Sequence, residues 1–126
     1  MGYIDYNANP LNRRTDDCVK RALSTALGYT WDRVHIELSV LTLVKAGIET
    51  ENEIWAEYLE RKGFERFQIP DTCPFCYTIR DFCEDNPDGV FVLGTGTHVV
   101  CVIDGDYYDT WDSGDRVPLY CFVKKR

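Results

Sequence analysis

At Gly89 the chain changes texture. Before it, apolar residues recur mainly at helical spacing; after it, short runs of β-branched and aromatic residues alternate with glycine-bearing turns. Residues 16–28 carry Val19, Ala22, Leu23, Ala26 and Leu27 on one helical face. Asp16 or Asp17 is available to cap the helix and Gly28 to end it, so Cys18 is expected in its first turn. A second helix is expected over 31–45 with Thr30 as cap, and a third over 52–62, stopped by Gly63. Residues 64–69 read as a short strand and 77–83 as another short helix. Strands are then expected over 90–93, 98–103, 106–111 and 117–123, with turn chemistry at Gly94-Thr95-Gly96 and Asp104-Gly105. The pattern predicts one α+β domain over residues 1–126, with N-terminal helices packed on a C-terminal antiparallel sheet.

A chain of 126 residues, 44% of them hydrophobic, can build one core. Its 21 acidic and 14 basic residues give a net charge of -7, which opposes binding to a phosphate backbone, so no nucleic-acid partner is expected. The one basic cluster, Lys124, Lys125 and Arg126, reads as a solvated tail. The first seventeen residues lack a basic segment followed by an apolar one, and no apolar run reaches membrane-spanning length. Gly2 lacks the Ser or Thr four residues on that myristoylation requires, since Tyr6 stands there. A soluble, cytoplasmic protein without a membrane partner is therefore expected. Its six cysteines, at 18, 73, 76, 83, 101 and 121, are expected to be reduced.

Three residues together point to chemistry. Cys18 opens a helix, where aligned amides and the macrodipole favour thiolate over thiol. His98 opens the apolar strand His-Val-Val-Cys-Val-Ile just after a glycine-rich turn, where it can face a cleft and act as base. A two-residue turn at Asp104-Gly105 brings 106–111 back beside His98, with position 111 opposite 98 and Asp109 a diagonal neighbour on the same face. That register favours Asp109 as the partner of His98, whereas a bulge or a longer loop would favour Asp112. Trp111 is expected either over the cleft or within the sheet.

The segments 16–28 (DDCVKRALSTALG), 96–105 (GTHVVCVIDG) and 107–112 (YYDTWD) resemble the papain-like cysteine peptidase superfamily, above all its small bacteriocin-leader-peptidase-like and phage-encoded branches. The surroundings of Cys18 differ from the glycine, serine, cysteine and tryptophan setting of papain's own nucleophile. The resemblance implies a papain-like fold and a cysteine-dependent acyl-transfer hydrolase, a peptidase or amidase acting on a peptide or amide substrate, free or within another protein. It implies a triad of Cys18, His98 and an aspartate, Asp109 or Asp112, and an oxyanion donor six residues before the nucleophile, where Asn12 stands. It implies no cofactor and no metal. The alternative is a catalytically inactive papain-like scaffold that serves as a binding or phage accessory protein.

Cys73-Pro-Phe-Cys76 has the spacing of a redox pair or half a zinc site; with Cys83 it supplies three thiols, and Cys101, Cys121 or His35 is a candidate fourth ligand. Reduced cysteines engaged only in packing are the competing expectation. Cys101 and Cys121 lie in apolar strand patterns and are expected to be buried.

Overall fold

The computed structural model describes residues 2–124, so Lys125 and Arg126 of the expected basic tail lie outside the described residues. In chain order the elements are β1 (Gly2–Asp5), α1 (Cys18–Leu27), α2 (Trp31–Lys45), α3 (Asn52–Arg61), β2 (Phe64–Gln68), α4 (Ile79–Asp85), β3 (Val90–Gly94), β4 (Val99–Ile103), β5 (Asp106–Asp109) and β6 (Tyr120–Lys124). The six strands form one sheet in the order β1-β5-β4-β3-β6-β2. β1 runs parallel to β5, and every other pairing is antiparallel.

This arrangement corrects the expectation of N-terminal helices stacked on a C-terminal sheet. Helices and strands are interspersed along the whole chain. The first strand precedes every helix and pairs with β5 about a hundred residues later, β2 closes the opposite edge from between α3 and α4, and α4 interrupts the strand series.

Strand parity decides where the core sits. Val92, Val99, Cys101 and Phe122 face one cluster with Val19, Ala22 and Leu23 of α1, Val34 and Leu38 of α2, and Trp55 and Leu59 of α3. Their neighbours Phe91, Leu93, Val100, Val102 and Cys121 face a second cluster with Ile79, Phe82 and Cys83 of α4. The central strands are thus covered on both faces, which is why their sequences are almost continuously apolar. Fully burying a side chain such as Leu23, Leu38 or Leu59 stabilises the fold by about 1.5–3 kcal/mol each.

Local signals explain the element ends. Gly28 closes α1 in the left-handed conformation (φ 69°), its N–H bonded to the Ser24 carbonyl. Thr30 caps α2 by accepting from the Arg33 amide, and Thr78 and Asp81 form a reciprocal capping box at α4. At the β4–β5 turn Asp104 and Gly105 both have positive φ (49° and 81°), as a tight two-residue hairpin requires. The register that follows pairs Cys101 with Tyr108 and Val102 with Tyr107. No helix among the described residues is long and apolar enough to cross a membrane.

Candidate functional site

α1 packs against β4 through Val19, Leu23, Val99 and Cys101, which sets the first residue of the helix, Cys18, beside the residue that precedes the strand, His98. Both line a cleft of about 150 Å³ together with Asp16, Thr50, Asn52 and Thr97. Cys18 is half-buried and packs against the apolar cluster beneath α1. The His98 ring lies 4.8 Å from the Trp111 ring, centre to centre. Trp111 is 40% exposed and has the Arg116 guanidinium over its ring, 5.4 Å from the centroid, so it stands beside the cleft rather than in the sheet core.

His98 Nε2 is 2.6 Å from Asp109 Oδ2, and the Asp109 side chain is 1% exposed. Burial works against a charge on His98. The Asp109 hydrogen bond, with a further contribution from the Cys18 sulfur, outweighs it and raises the histidine to about 9. Burial likewise works against the Asp109 carboxylate, but its bond to His98 holds it below the usual aspartate range.

Asp109 is a hub rather than a partner reserved for one imidazole. Its Oδ2 also accepts from the Ser113 hydroxyl at 2.7 Å, and its Oδ1 accepts from the Thr110 amide at 2.8 Å and from Arg21 Nη1 at 3.1 Å. Arg21 bridges onward through Nε to Asp17 Oδ1 at 2.7 Å. Asp17 in turn accepts from Asn9 Nδ2 at 3.1 Å and Trp31 Nε1 at 3.0 Å. Burial opposes its charge, but the Arg21, Asn9 and Trp31 hydrogen bonds keep Asp17 below its ordinary range. Four charges of alternating sign, Asp17, Arg21, Asp109 and His98, thus tie the start of α1 to β5 and to the entry of β4.

Asp17 stands at the N-cap position of α1, yet its side chain caps no helix amide, contrary to the expected role. The i, i+4 spacing of Asp17 and Arg21 was the available sequence signal for the network; Asn9, Trp31 and Ser113 carried none. Of the two candidate aspartates, the one beside His98 is Asp109. Asp112 instead accepts from the Tyr107 hydroxyl and the Gly114 amide and pairs with Arg80. Asn12 lies exposed with positive φ (54°) on a turn closed by its own amide onto the Asn9 carbonyl, and it does not line the cleft at Cys18.

The other cysteines occupy two settings. Cys73 and Cys76 form a disulfide, which corrects the expectation that all six are reduced and removes both from any thiolate set. Cys83, Cys101 and Cys121 are buried free thiols, and burial pushes each upward, Cys83 to about 11. Among the described residues no group of three or more His, Cys, Asp or Glu side chains is arranged to hold a metal ion, so the three-thiol zinc reading fails. His35 stacks on Trp31 at 5.1 Å.

No protein-family model, no curated protein and no solved structure matches the chain.

These findings correct the expectation of a cysteine-dependent acyl-transfer hydrolase, and with it the terms peptidase, amidase, thiol protease and catalytic triad. Five of the six cysteines are committed to a disulfide or to buried packing, and Cys18 itself packs on the core. Asp109 is shared among four donors in a structural network. The expected oxyanion donor, Asn12, is not at the cleft.

Proposed function

We propose that the chain is a binding scaffold related to papain-like cysteine peptidases, which holds an extended peptide segment in the Cys18-His98 cleft without cleaving it. The observation that carries this reading is the His98 ring, held by Asp109 at 2.6 Å and set 4.8 Å from the ring of a part-exposed Trp111 at the cleft. The aromatic face of Trp111 suits the flat amide planes of a peptide backbone. Asn52 adds polarity: its side-chain oxygen accepts from Trp55 Nε1 at 3.1 Å, which leaves its NH₂ as a donor at the cleft. The net charge of -7 and the Asp16 carboxylate at the cleft favour neutral or basic segments. The cytoplasmic location that belongs to the same proposal draws on four free thiols and stands against the Cys73–Cys76 disulfide.

The test is a titration with blocked tetrapeptides, one set bearing Lys and Arg and one bearing Asp and Glu, followed by the side-chain NMR signals of His98 and Trp111. Both signals should move with the basic set, and His98→Ala should weaken binding about tenfold or more, the loss of one charge-assisted contact. Silence of both signals at about 1 mM peptide, where even millimolar affinity is visible, would sink the reading.

A further inference from the structure

α2 is apolar on two opposite faces. Val34, Leu38 and Leu41, spaced by four and three residues, point into the core and are buried. Ile36, Val40, Leu43 and Val44 follow the same spacing half a turn away and are open to solvent, Leu43 at 81% and Val44 at 72%. Ile48, just past the helix end, is also exposed. Beside it, a groove of about 250 Å³ between α2 and α3 is floored by Val40, Leu41 and Val44 and bounded by Tyr58. A solvated helix face is ordinarily charged; this one places four large aliphatic side chains where Lys and Glu would serve.

We propose that this face pairs with a second copy of the chain, α2 against α2 in antiparallel orientation about a two-fold axis beside Val40. The spacing is self-complementary. An axis at that point lays Ile36 of each copy against Leu43 and Val44 of the other, which is how an isologous interface repeats one patch. The four α2 side chains expose on the order of 500 Å² per chain, and two copies would cover about 1,000 Å², the size at which a weak specific interface begins. The charges at the edge do not obstruct it. Arg33 is paired with Glu37 at 3.1 Å, and Glu37 also takes the Tyr58 hydroxyl at 2.7 Å and Lys62 at 3.1 Å, so no unpaired charge of that group enters the seam. None of the α2 residues lines the Cys18-His98 cleft, so pairing leaves the cleft residues uncovered by α2 and stands independently of the peptide-binding reading.

Sedimentation equilibrium of the full chain from about 1 to 100 µM tests it, a range that captures weak and strong dimers alike. The expected result is a species of twice the 14.6 kDa chain mass, with Leu43→Asp and Val44→Asp each raising the dissociation constant about a hundredfold. Both side chains are exposed in the single chain, so the variants should keep its circular dichroism spectrum. Val40→Cys should cross-link two copies under mild oxidation, because the axis sets the two positions together. A wild type that stays at 14.6 kDa across the range overturns the proposal and assigns the face to a different protein. A dimer indifferent to both aspartate variants overturns it equally.

Discussion

His98 Nε2 and Asp109 Oδ2 stand 2.6 Å apart, with the carboxylate almost fully enclosed. The pair links stability to pH in two directions. His98 is raised to about 9 from an ordinary value near 6.5, so its contribution is complete below about pH 6.5 and is lost as pH rises through about 9. Asp109 is lowered, so its contribution is present above the ordinary aspartate range and is lost as pH falls through its depressed value. Urea denaturation from pH 3 to 10 should give a plateau around neutrality with a fall on each side. His98→Ala should flatten the alkaline fall while leaving an acid one from Asp17.

Arg21 neutralises two buried carboxylates at once, Asp17 and Asp109. Removing it strands both, so Arg21→Ala should cost about 3–5 kcal/mol, measured as a shift in the urea midpoint. Asp17→Asn keeps the shape and its amide can still meet some partners, and its cost should be smaller, about 1–3 kcal/mol. Equal costs for the two variants would contradict the bridging role.

Gly94 ends β3 under the ring of Tyr120 on the neighbouring β6, and a β-carbon there would overlap the ring carbons and hydroxyl. Gly94→Ala should therefore destabilise by about 1–3 kcal/mol, although the residue has no positive φ to protect. Gly94→Ala combined with Tyr120→Leu should recover part of the loss in thermal melts, since the smaller side chain vacates the overlap.

The thiols fall into three reactivity groups. With the disulfide intact, a thiol reagent should label half-buried Cys18 and leave Cys83, Cys101 and Cys121 protected until unfolding. Mild reduction should add two labels on the exposed Cys73 and Cys76. Peptide mapping by mass spectrometry counts them directly. Rapid native labelling of Cys101 would contradict its burial at the centre of the sheet.

Much of the frame was legible because the signals are local. The Asp104-Gly105 turn determines the register of β4 on β5, and that register alone carries Asp109 toward His98. Thr30 and Gly28 mark helix ends by their own geometry. What escaped depends on partners distant in sequence. β1 is a four-residue strand whose parallel partner lies about a hundred residues away, with no turn to announce it, and so the layered order expected from the pattern failed. Asp17 looks like a helix cap in one dimension; only the approach of Asn9, Trp31 and Arg21 turns it into a buried charge. The two-sided apolarity of α2 could be read as ordinary core until exposure separated Leu38 from Leu43. Cys18 and His98 did share a cleft, yet the engagement of Asp109 by Arg21, Thr110 and Ser113 as well as His98 is a property of the folded network that no local signal announces.

The central claim is that the cleft binds peptide without acyl transfer, and one comparison tests it most directly. Wild type and Cys18→Ser are each incubated with the tightest-binding blocked tetrapeptide, and both the dissociation constant and the intact masses of protein and peptide are followed over a day. The account predicts dissociation constants within about twofold of each other, a difference under about 0.5 kcal/mol, with the peptide mass unchanged and no adduct on the protein. A thioester adduct on the wild type, or peptide fragments that vanish in Cys18→Ser, would contradict it.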